Sequence, residues 1–372
     1  MYEDLVISIL KGEGIDIVSS VPCDKAKDLC FMIPGQFNHI GLTREEDGIG
    51  VSAGAFLAGK RPAMFIQSSG LGNSLNALMS LTRTYHLPLP ILASWRGVQD
   101  EVIPAQVPFN AAVPKILEAT GIPCTVISQP DDLEKIGDVI RDSFEHSTPH
   151  VCLILPKVWV VDESCRTGTI NPSRQKETDL FYHRSVKDPE MTRYDAIRII
   201  ARNLDRQAVV SNIGVPGKEL HAARDRPLNF YMLGSYTQAS PIGLGLSQGT
   251  NRDVWVVDGD GSILGTGILP VTGIKQPRNL TIFCLDNGAF GSTGNQLTPA
   301  YNTADLELMA IAAGFSHTWK AGDDEALENA IRELGEGPNF VHVLLKPGNA
   351  DVKNIPLSPV QIRDRFKSAL QA

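Results

Sequence analysis

No apolar run in this 372-residue chain approaches a membrane span. The longest, Val151–Leu155 and Val158–Val161, fall far short of the roughly 20 residues that cross a bilayer. A basic excess is missing too: 34 Lys plus Arg face 42 Asp plus Glu, giving a net charge of −8 and a pI of about 5.5. That balance excludes a general affinity for nucleic acid or anionic membrane, so an anionic ligand has to be met by a local pocket. Cysteine is scarce, and the six residues at 23, 30, 124, 152, 165 and 284 form no C-x-x-C pair and no metal-ligand spacing with histidine. They read as free, mostly buried thiols. The eight histidines are scattered and give no support for histidine-dependent chemistry. At the N-terminus, Met-Tyr-Glu-Asp-Leu carries acids where a secretory leader carries basic residues, so a cytoplasmic protein is expected. What the chain does have is a 42 % hydrophobic content, enough for packed cores in two or three domains and incompatible with a disordered or fibrous protein.

Short Val- and Ile-rich runs alternate with helical patterns, which predicts an α/β protein whose mostly parallel sheets are flanked by helices. Strands are expected at Asp16–Ser19, Ala63–Gln67, Ile91–Ala93, Val151–Leu155, Ala208–Ser211, Asp253–Val257, Leu280–Leu285 and Phe340–Leu345. Between 162 and 192 the pattern lapses into charged and polar residues, which predicts a linker between one domain at 1–161 and another at 193–372. The two halves also resemble each other. Helix openings at Tyr2 and Tyr194, the segments ending at Gly70 and Gly261, and the closing segments from Pro149 and Pro338 correspond at offsets of 192, 191 and 189 positions. Similar offsets at three places suggest a duplicated architecture, with chance similarity of α/β patterns as the alternative.

The sharpest local feature is Val254-Trp-Val-Val-Asp-Gly259-Asp260-Gly261-Ser262, followed by Asn279-Leu-Thr-Ile-Phe-Cys-Leu-Asp286-Asn287-Gly288-Ala289. Each half reads as a buried strand ending in a polar, glycine-rich turn, and in a parallel sheet both turns emerge at the carboxyl edge, where ligands bind. Glycine lets backbone approach a phosphate, and Asp260 with Asn287 supplies hard oxygen ligands for Mg²⁺, so a diphosphate held through magnesium is the natural ligand. A calcium loop starting at Asp258 would need Gly and Glu where Ile263 and Leu269 stand. The Gly243-Leu-Gly245-Leu-Ser-Gln248 run lacks the third glycine of a dinucleotide fingerprint and reads as small residues in a packed helix. A turn that binds nothing is the remaining alternative.

Gly259-Asp260-Gly261-Ser262, with Asn287 placed 27 positions after Asp260, resembles the cofactor motif of thiamine diphosphate-dependent enzymes. The resemblance implies that Asp260, the Asn287 side chain and the Ala289 carbonyl hold Mg²⁺, with Asp286 where the motif often has a first asparagine. It also implies a carboxylate that exchanges a proton with the cofactor's aminopyrimidine ring, a task suited to a glutamate in a poorly hydrated cleft with a raised pKa. In Thr43-Arg44-Glu45-Glu46-Asp47-Gly48-Ile49-Gly50, Glu45 matches that position, Glu46 being its neighbour. The other reading is an acidic first turn favoured by the helix dipole.

The fuller resemblance is to the sulfopyruvate decarboxylases, which occur as two subunits or one fused chain. Ser20-Val-Pro22-Cys23, the Thr43–Gly50 segment, Gln67-Ser-Ser-Gly-Leu-Gly-Asn73 and Ala105-Gln106-Val-Pro108 are similar to the first subunit. Ser211-Asn212-Ile-Gly214, Leu228-Asn-Phe-Tyr-Met-Leu-Gly234-Ser235 and the metal motif are similar to the second. This implies a pyrimidine-binding domain followed by a diphosphate-binding domain, paired between subunits in a homodimer or homotetramer. Cofactor contacts are implied for Gln67, Asn212, Gly234, Ser235, Tyr236, Gly259, Asp260, Gly261, Ser262, Asn287 and Ala289. Tyr236 stands where relatives place a medium apolar residue that bends the cofactor, and its hydroxyl needs a partner when buried.

The implied reaction is the non-oxidative decarboxylation of 3-sulfopyruvate to sulfoacetaldehyde and CO₂. A substrate with a carboxylate and a sulfonate needs cationic and amide donors, for which Arg44, Arg96 and Gln106 are candidates, each alternatively a solvated surface residue. The phosphonopyruvate decarboxylases are the second reading. They differ at Arg44-Glu45-Glu46-Asp47 and after Trp95-Arg96-Gly97. A thiamine diphosphate-binding protein without turnover is the third, against which Glu45 speaks.

Overall fold

A computed structural model of the chain describes residues 2–99, 101–159, 180–186 and 188–372. The expected linker at 162–192 lies outside the described residues over 162–179 and at 187.

In the N-terminal half, α1 (Tyr2–Gly12), β1 (Ile17–Ser20), α2 (Lys27–Met32), β2 (Asn38–Gly41), α3 (Glu45–Leu57), β3 (Pro62–Gln67), α4 (Gly70–Ala77) and β4 (Leu89–Ser94) follow one another. Then come α5 (Val107–Asn110), α6 (Val113–Ala119), β5 (Cys124–Ile127), α7 (Lys135–His146) and β6 (Pro149–Ile154). The C-terminal half begins with α8 (Arg193–Arg202), started by a capping box in which Thr192 and Asp195 satisfy each other's backbone N–H. It continues through β7 (Ala208–Ser211), α9 (Val215–Ala223), β8 (Asn229–Tyr231), α10 (Ala239–Ser247), β9 (Val254–Gly259), α11 (Asp260–Leu264), α12 (Ile268–Lys275) and β10 (Leu280–Asp286). A small hairpin of β11 (Ala289–Phe290) and β12 (Gln296–Leu297), then α13 (Leu306–Ala313), β13 (His317–Ala321), α14 (Asp324–Arg332), β14 (Asn339–Leu344) and α15 (Pro359–Gln371) complete it.

Two six-stranded parallel sheets result, ordered β2-β1-β3-β4-β6-β5 and β13-β14-β10-β9-β7-β8. The second, read from its other end, repeats the first. β7 starts 191 positions after β1 (17 to 208), β6 is matched by β14 190 positions on (149 to 339), and β5 by β13 at 193 (124 to 317). All eight expected strands form, and their central members are buried along their length, as strands covered by helices on both faces must be. The four larger-sheet strands without a counterpart in the sequence reading, β2, β5, β8 and β13, are the four sheet edges. No helix among the described residues is long and apolar enough to cross a membrane.

The halves meet where α3 crosses α10. A Cβ at Gly54 would stand 2.0 Å from the Ile242 carbonyl oxygen and 2.7 Å from Leu246 N; one at Gly245 would stand 1.9 Å from the Val51 carbonyl oxygen and 2.9 Å from Ala55 N. Only glycine permits backbones this close, which is the packing role expected of the Gly243–Gln248 run. The Gly50 N–H donates to Gln238 Oε1 at 3.0 Å, and Tyr85 donates its hydroxyl to the Tyr231 carbonyl at 2.8 Å. These bonds lock the crossing.

Candidate active site

The carboxyl ends of the strands in both sheets converge on this seam. In the C-terminal half, the β9–β10 register pairs Gly259 with Leu285, so the turns carrying Asp260 and Asp286 leave the sheet side by side. Asp260 opens α11, buried, and accepts from the Thr298 hydroxyl. Burial, reinforced by Asp286 and opposed by Thr298, pushes its carboxyl up to about 6. Asp286 accepts from Gly288 N at 2.9 Å and from His342 Nε2 at 2.7 Å, and Asn287 Oδ1 accepts from Ala289 N at 3.3 Å. Gly288 turns at φ +65, and a Cβ there would strike Tyr301 at 2.4 Å. The adjacent ends of β9 and β10 thus carry hard oxygen donors, the Asp260 carboxylate on one and the Asn287 side chain and Ala289 carbonyl after the other, a donor set whose chemistry suits Mg²⁺. Asn287 Nδ2 and Ser235 Oγ are buried with no partner in the protein, the condition of groups that await a ligand.

Other residues singled out from the sequence lie on neighbouring elements of this half. Asn212 Nδ2 lies 3.3 Å from where a Gly259 Cβ would be, and Ser262 is buried in α11. A Gly234 Cβ would stand 3.1 Å from the Ser80 carbonyl of the other half, in the π-helical turn Leu78–Arg83. Ser235 and Thr237 both hold left-handed conformations, φ +70 and +73, and so bracket Tyr236 with strained backbone. The Tyr236 hydroxyl donates to the Gly261 carbonyl, which supplies the partner a half-buried phenol requires. Burial, with Asp258 and Asp260 nearby, raises its pKa.

Across the seam, Glu45 is the first residue of α3 and is only partly exposed. Its Oε2 accepts from Asn73 Nδ2 at 2.9 Å, and a Cβ at Gly70 would stand 2.5 Å from its Cγ, so the carboxyl packs flat on that glycine. The neighbouring Glu46 is buried and engaged by Arg44 at 2.8 Å. The two glutamates thus differ: among the described residues no cation pairs with Glu45.

Asp47, the third acid of a helix first turn, carries no mark in the sequence that sets it apart from Glu45 and Glu46. The structure buries it completely and aims it at the other half, where Thr266 Oγ1 donates at 2.7 Å and Gly267 N at 3.0 Å. It ties the start of α3 to the chain leaving α11. Burial pushes its carboxyl up to about 6 despite those donors and Arg44. An acid whose folded pKa lies above its unfolded value binds more protons in the folded state, so its contribution to stability is full at low pH and falls as pH rises from about 4 to about 6. The melting temperature of the wild type, measured relative to Asp47→Asn, should therefore decline over that window and level off above it; a difference independent of pH would refute this role.

Gln67, Gln106 and Arg96 share a polar network at the ends of β3 and β4. Gln67 Nε2 donates to Gln106 Oε1 at 3.2 Å, Cys23 Sγ approaches Gln67 Oε1 at 3.7 Å, and Asn110 links Gln106 to Ser68, which accepts from Arg96 N at 3.0 Å. Arg96, read as a surface loop residue when taken alone, is in fact buried. Its guanidinium is held by Glu101 through Nε at 2.7 Å and Nη2 at 3.0 Å, with Asp24 on Nη1 at 2.5 Å. The pairing holds the Glu101 carboxyl down to about 2. Arg44 does not join this network. Nothing in the sequence pattern foretold Thr298 or His342 beside the aspartates.

Residues 2–114 match the N-terminal TPP-binding domain of thiamine pyrophosphate enzymes, and residues 213–343 match their C-terminal TPP-binding domain. A sulfopyruvate decarboxylase of Methanosarcina acetivorans is 46 % identical over 99 % of this chain and 97 % of its own length. The chain belongs to the thiamine pyrophosphate enzymes. A second relative in length and similarity, a phosphonopyruvate decarboxylase of Streptomyces viridochromogenes, is 32 % identical over 98 % of this chain and 94 % of its own. In fold, this thiamine pyrophosphate enzyme superposes with a TM-score of 0.70 on a putative thiamin diphosphate-dependent enzyme from Mycobacterium smegmatis, at 13 % identity, covering 93 % of this chain and 99 % of that one. The two sheets and their flanking helices are therefore the expected pair of thiamine diphosphate-binding-type domains, and thiamine diphosphate is the cofactor.

Proposed function

We propose that this chain is a Mg²⁺-dependent decarboxylase that converts 3-sulfopyruvate into sulfoacetaldehyde and CO₂. The observation that carries the reading is the 46 % identity, sustained over 99 % of the chain, to a sulfopyruvate decarboxylase. In this reading residues 1–161 form the pyrimidine-binding domain and 193–372 the diphosphate-binding domain, and a homodimer or homotetramer is the working assembly. When bound, thiamine diphosphate supplies the electron sink for the pair that remains as CO₂ leaves. Asp260, Asn287 Oδ1 and the Ala289 carbonyl would hold Mg²⁺, whose charge would offset the buried Asp260 and Asp286 carboxyls and the anionic diphosphate. Gly259 and Gly261 let the backbone close on the phosphates, with Asn212 and Ser262 beside them. Tyr236, on its strained turn, acts as the wedge, with Gly234 and Ser235 shaping its base and Gln67 reaching in from the other half. Glu45 holds and returns a proton on the aminopyrimidine ring, a role suited to a carboxylate with no ion pair among the described residues.

Substrate anions are assigned to Arg96, Gln106 and Arg44. Glu101 and Asp24 take one N–H each from Nε, Nη1 and Nη2 of Arg96, which leaves one N–H on each terminal nitrogen to meet a sulfonate. Arg96→Ala should raise KM for sulfopyruvate far more than for uncharged 2-oxo acids; an equal rise for both would remove Arg96 from the substrate site. The full-length relative of phosphonopyruvate decarboxylase type keeps a phosphonate as the second reading, at the lower identity of 32 %. CO₂ release by the purified protein with thiamine diphosphate and Mg²⁺, offered sulfopyruvate, phosphonopyruvate or pyruvate in parallel, decides. Selective turnover of sulfopyruvate is expected. Preference for phosphonopyruvate would overturn the substrate, and no turnover despite bound cofactor would overturn the activity.

A further inference from the structure

We infer that His342 is a positioning residue: it fixes the Asp286 carboxylate and thereby the turn that delivers Asn287 and Ala289. The inference rests on the proposal that this turn holds Mg²⁺.

Three buried carboxylates, Asp258, Asp260 and Asp286, stand at the ends of β9 and β10. Asp258 is answered within its own half by Ser240, through N at 3.2 Å and Oγ at 2.6 Å, and by Gly259 N at 2.9 Å. Asp286 is different. An asparagine at its position would bring a donor as well as an acceptor, whereas an ionised aspartate only accepts, so each of its oxygens needs a donor from elsewhere. One oxygen takes the Gly288 N–H inside the turn; the other takes the imidazole of His342 at 2.7 Å, with both side chains 3 % exposed. Because the acceptor is a carboxylate, the proton sits on Nε2.

Strand pairing explains the reach. β10 and β14 are parallel neighbours with Cys284 opposite His342, so the imidazole needs to lean only two residues along β10 to meet Asp286. Its neighbours Phe340, Val341 and Val343 in β14 are apolar and fully buried. A histidine in such a strand carries a desolvation cost that an apolar residue would avoid, so its presence needs a compensating contact. Asp286 is that contact. On the far side, His342 Nδ1 is buried without a hydrogen bond, 3.8 Å from an Asp305 oxygen that also caps α13, while the other Asp305 oxygen is engaged by Lys320. The imidazole is thus held between the metal-side turn and the start of α13, and orients the first rather than filling space. Removing groups that orient metal ligands typically weakens metal binding about 10- to 100-fold.

The test is a double-mutant cycle read by calorimetric titration of Mg²⁺ into the full-length protein with thiamine diphosphate, with melting temperature recorded for each variant. His342→Leu, which deletes the donor, should weaken Mg²⁺ binding at least about 10-fold. His342→Gln, which keeps an N–H donor of similar reach, should stay within about 3-fold of wild type, and it separates positioning from folding if the leucine variant is unstable. In an Asp286→Asn background the buried charge is gone, so His342→Leu should there cost at most about 3-fold. Equal loss from His342→Leu in both backgrounds, or equal damage from Gln and Leu, would overturn the inference. Asp260→Asn serves as the reference: if it leaves Mg²⁺ affinity unchanged, the metal reading itself fails and takes the role of His342 with it. If it abolishes binding while the cycle shows no coupling, only the role of His342 fails.

Discussion

Glu45→Gln is expected to lower kcat by at least about 100-fold, the lower end of what a positioned acid–base group contributes, while thiamine diphosphate affinity changes little. The amide preserves the shape that packs on Gly70 and can still meet Asn73, so the fold has no reason to respond. What it lacks is a proton that can be exchanged at neutral pH. The same substitution at Glu46 provides the contrast. Glu46 is buried but its partner Arg44 is half exposed and stays hydrated, so Glu46→Gln should cost at most about 1 kcal/mol of stability and leave kcat within a few-fold of wild type. Steady-state kinetics and thermal melts on the two variants check both halves of the expectation. Comparable turnover by Glu45→Gln and wild type would move the catalytic carboxylate elsewhere or remove the chemistry altogether.

Gly245→Val is expected to disrupt the molecule. A branched side chain would have to occupy a point where even one Cβ lies 1.9 Å from the Val51 carbonyl oxygen and 2.9 Å from Ala55 N. Backbone atoms on a buried helix cannot rotate aside as a flexible side chain can, so α3 and α10 must separate. Overpacking of a core by a single residue costs typically 1–3 kcal/mol, and here separation of the helices would also expose Ile49, Val51, Ile242 and Leu246, so a loss of several kcal/mol is expected. The chemical-denaturation midpoint should fall steeply, and catalytic activity should vanish with it, because the two cofactor-binding halves meet at this seam. Gly12→Ala is the control, since a Cβ there meets nothing within 4 Å. If Gly245→Val and Gly12→Ala melt alike, the seam does not hold the halves together.

Much of this architecture is legible in the sequence because central parallel strands are written as unbroken apolar runs. Met64-Phe-Ile and Val254-Trp-Val-Val are buried on both faces, and their ends appear within two residues of where the sequence put them. Edge strands carry no such mark. Asn38-His-Ile-Gly, Cys124-Thr-Val-Ile and His317-Thr-Trp-Lys-Ala have one neighbour and part of their surface in water, so polar residues are tolerated there, and Asn229–Tyr231 is only three residues long. The glycine turns of the cofactor motif were equally visible, since their spacing along the chain survives folding. Contacts between halves were not: Asp47 with Thr266 joins positions 219 apart, and three consecutive acids at a helix start look the same whether they face solvent or a partner. Arg96 illustrates the same limit. Its chain position told nothing of Glu101 and Asp24 closing around it.

The helix crossing has one more property. Gly54 touches Ile242 and Leu246, and Gly245 touches Val51 and Ala55; each residue of the second set lies 191 positions from its counterpart in the first (54 to 245, 51 to 242, 55 to 246). This is the reciprocity of an isologous interface, where residue i meets j and j meets i, but it is realised inside a single polypeptide. The rotation also carries Glu45 onto Tyr236 and Gly70 onto Gly261 by the same interval, and both pairs are in contact: the carboxyl lies on Gly70, the phenol on the Gly261 carbonyl. The same contact is thus made twice with different side chains, an acid in one half and a rigid aromatic in the other. A homodimer of identical halves would have to place the same residue at both points; two halves of different sequence, carried here on one chain, need not.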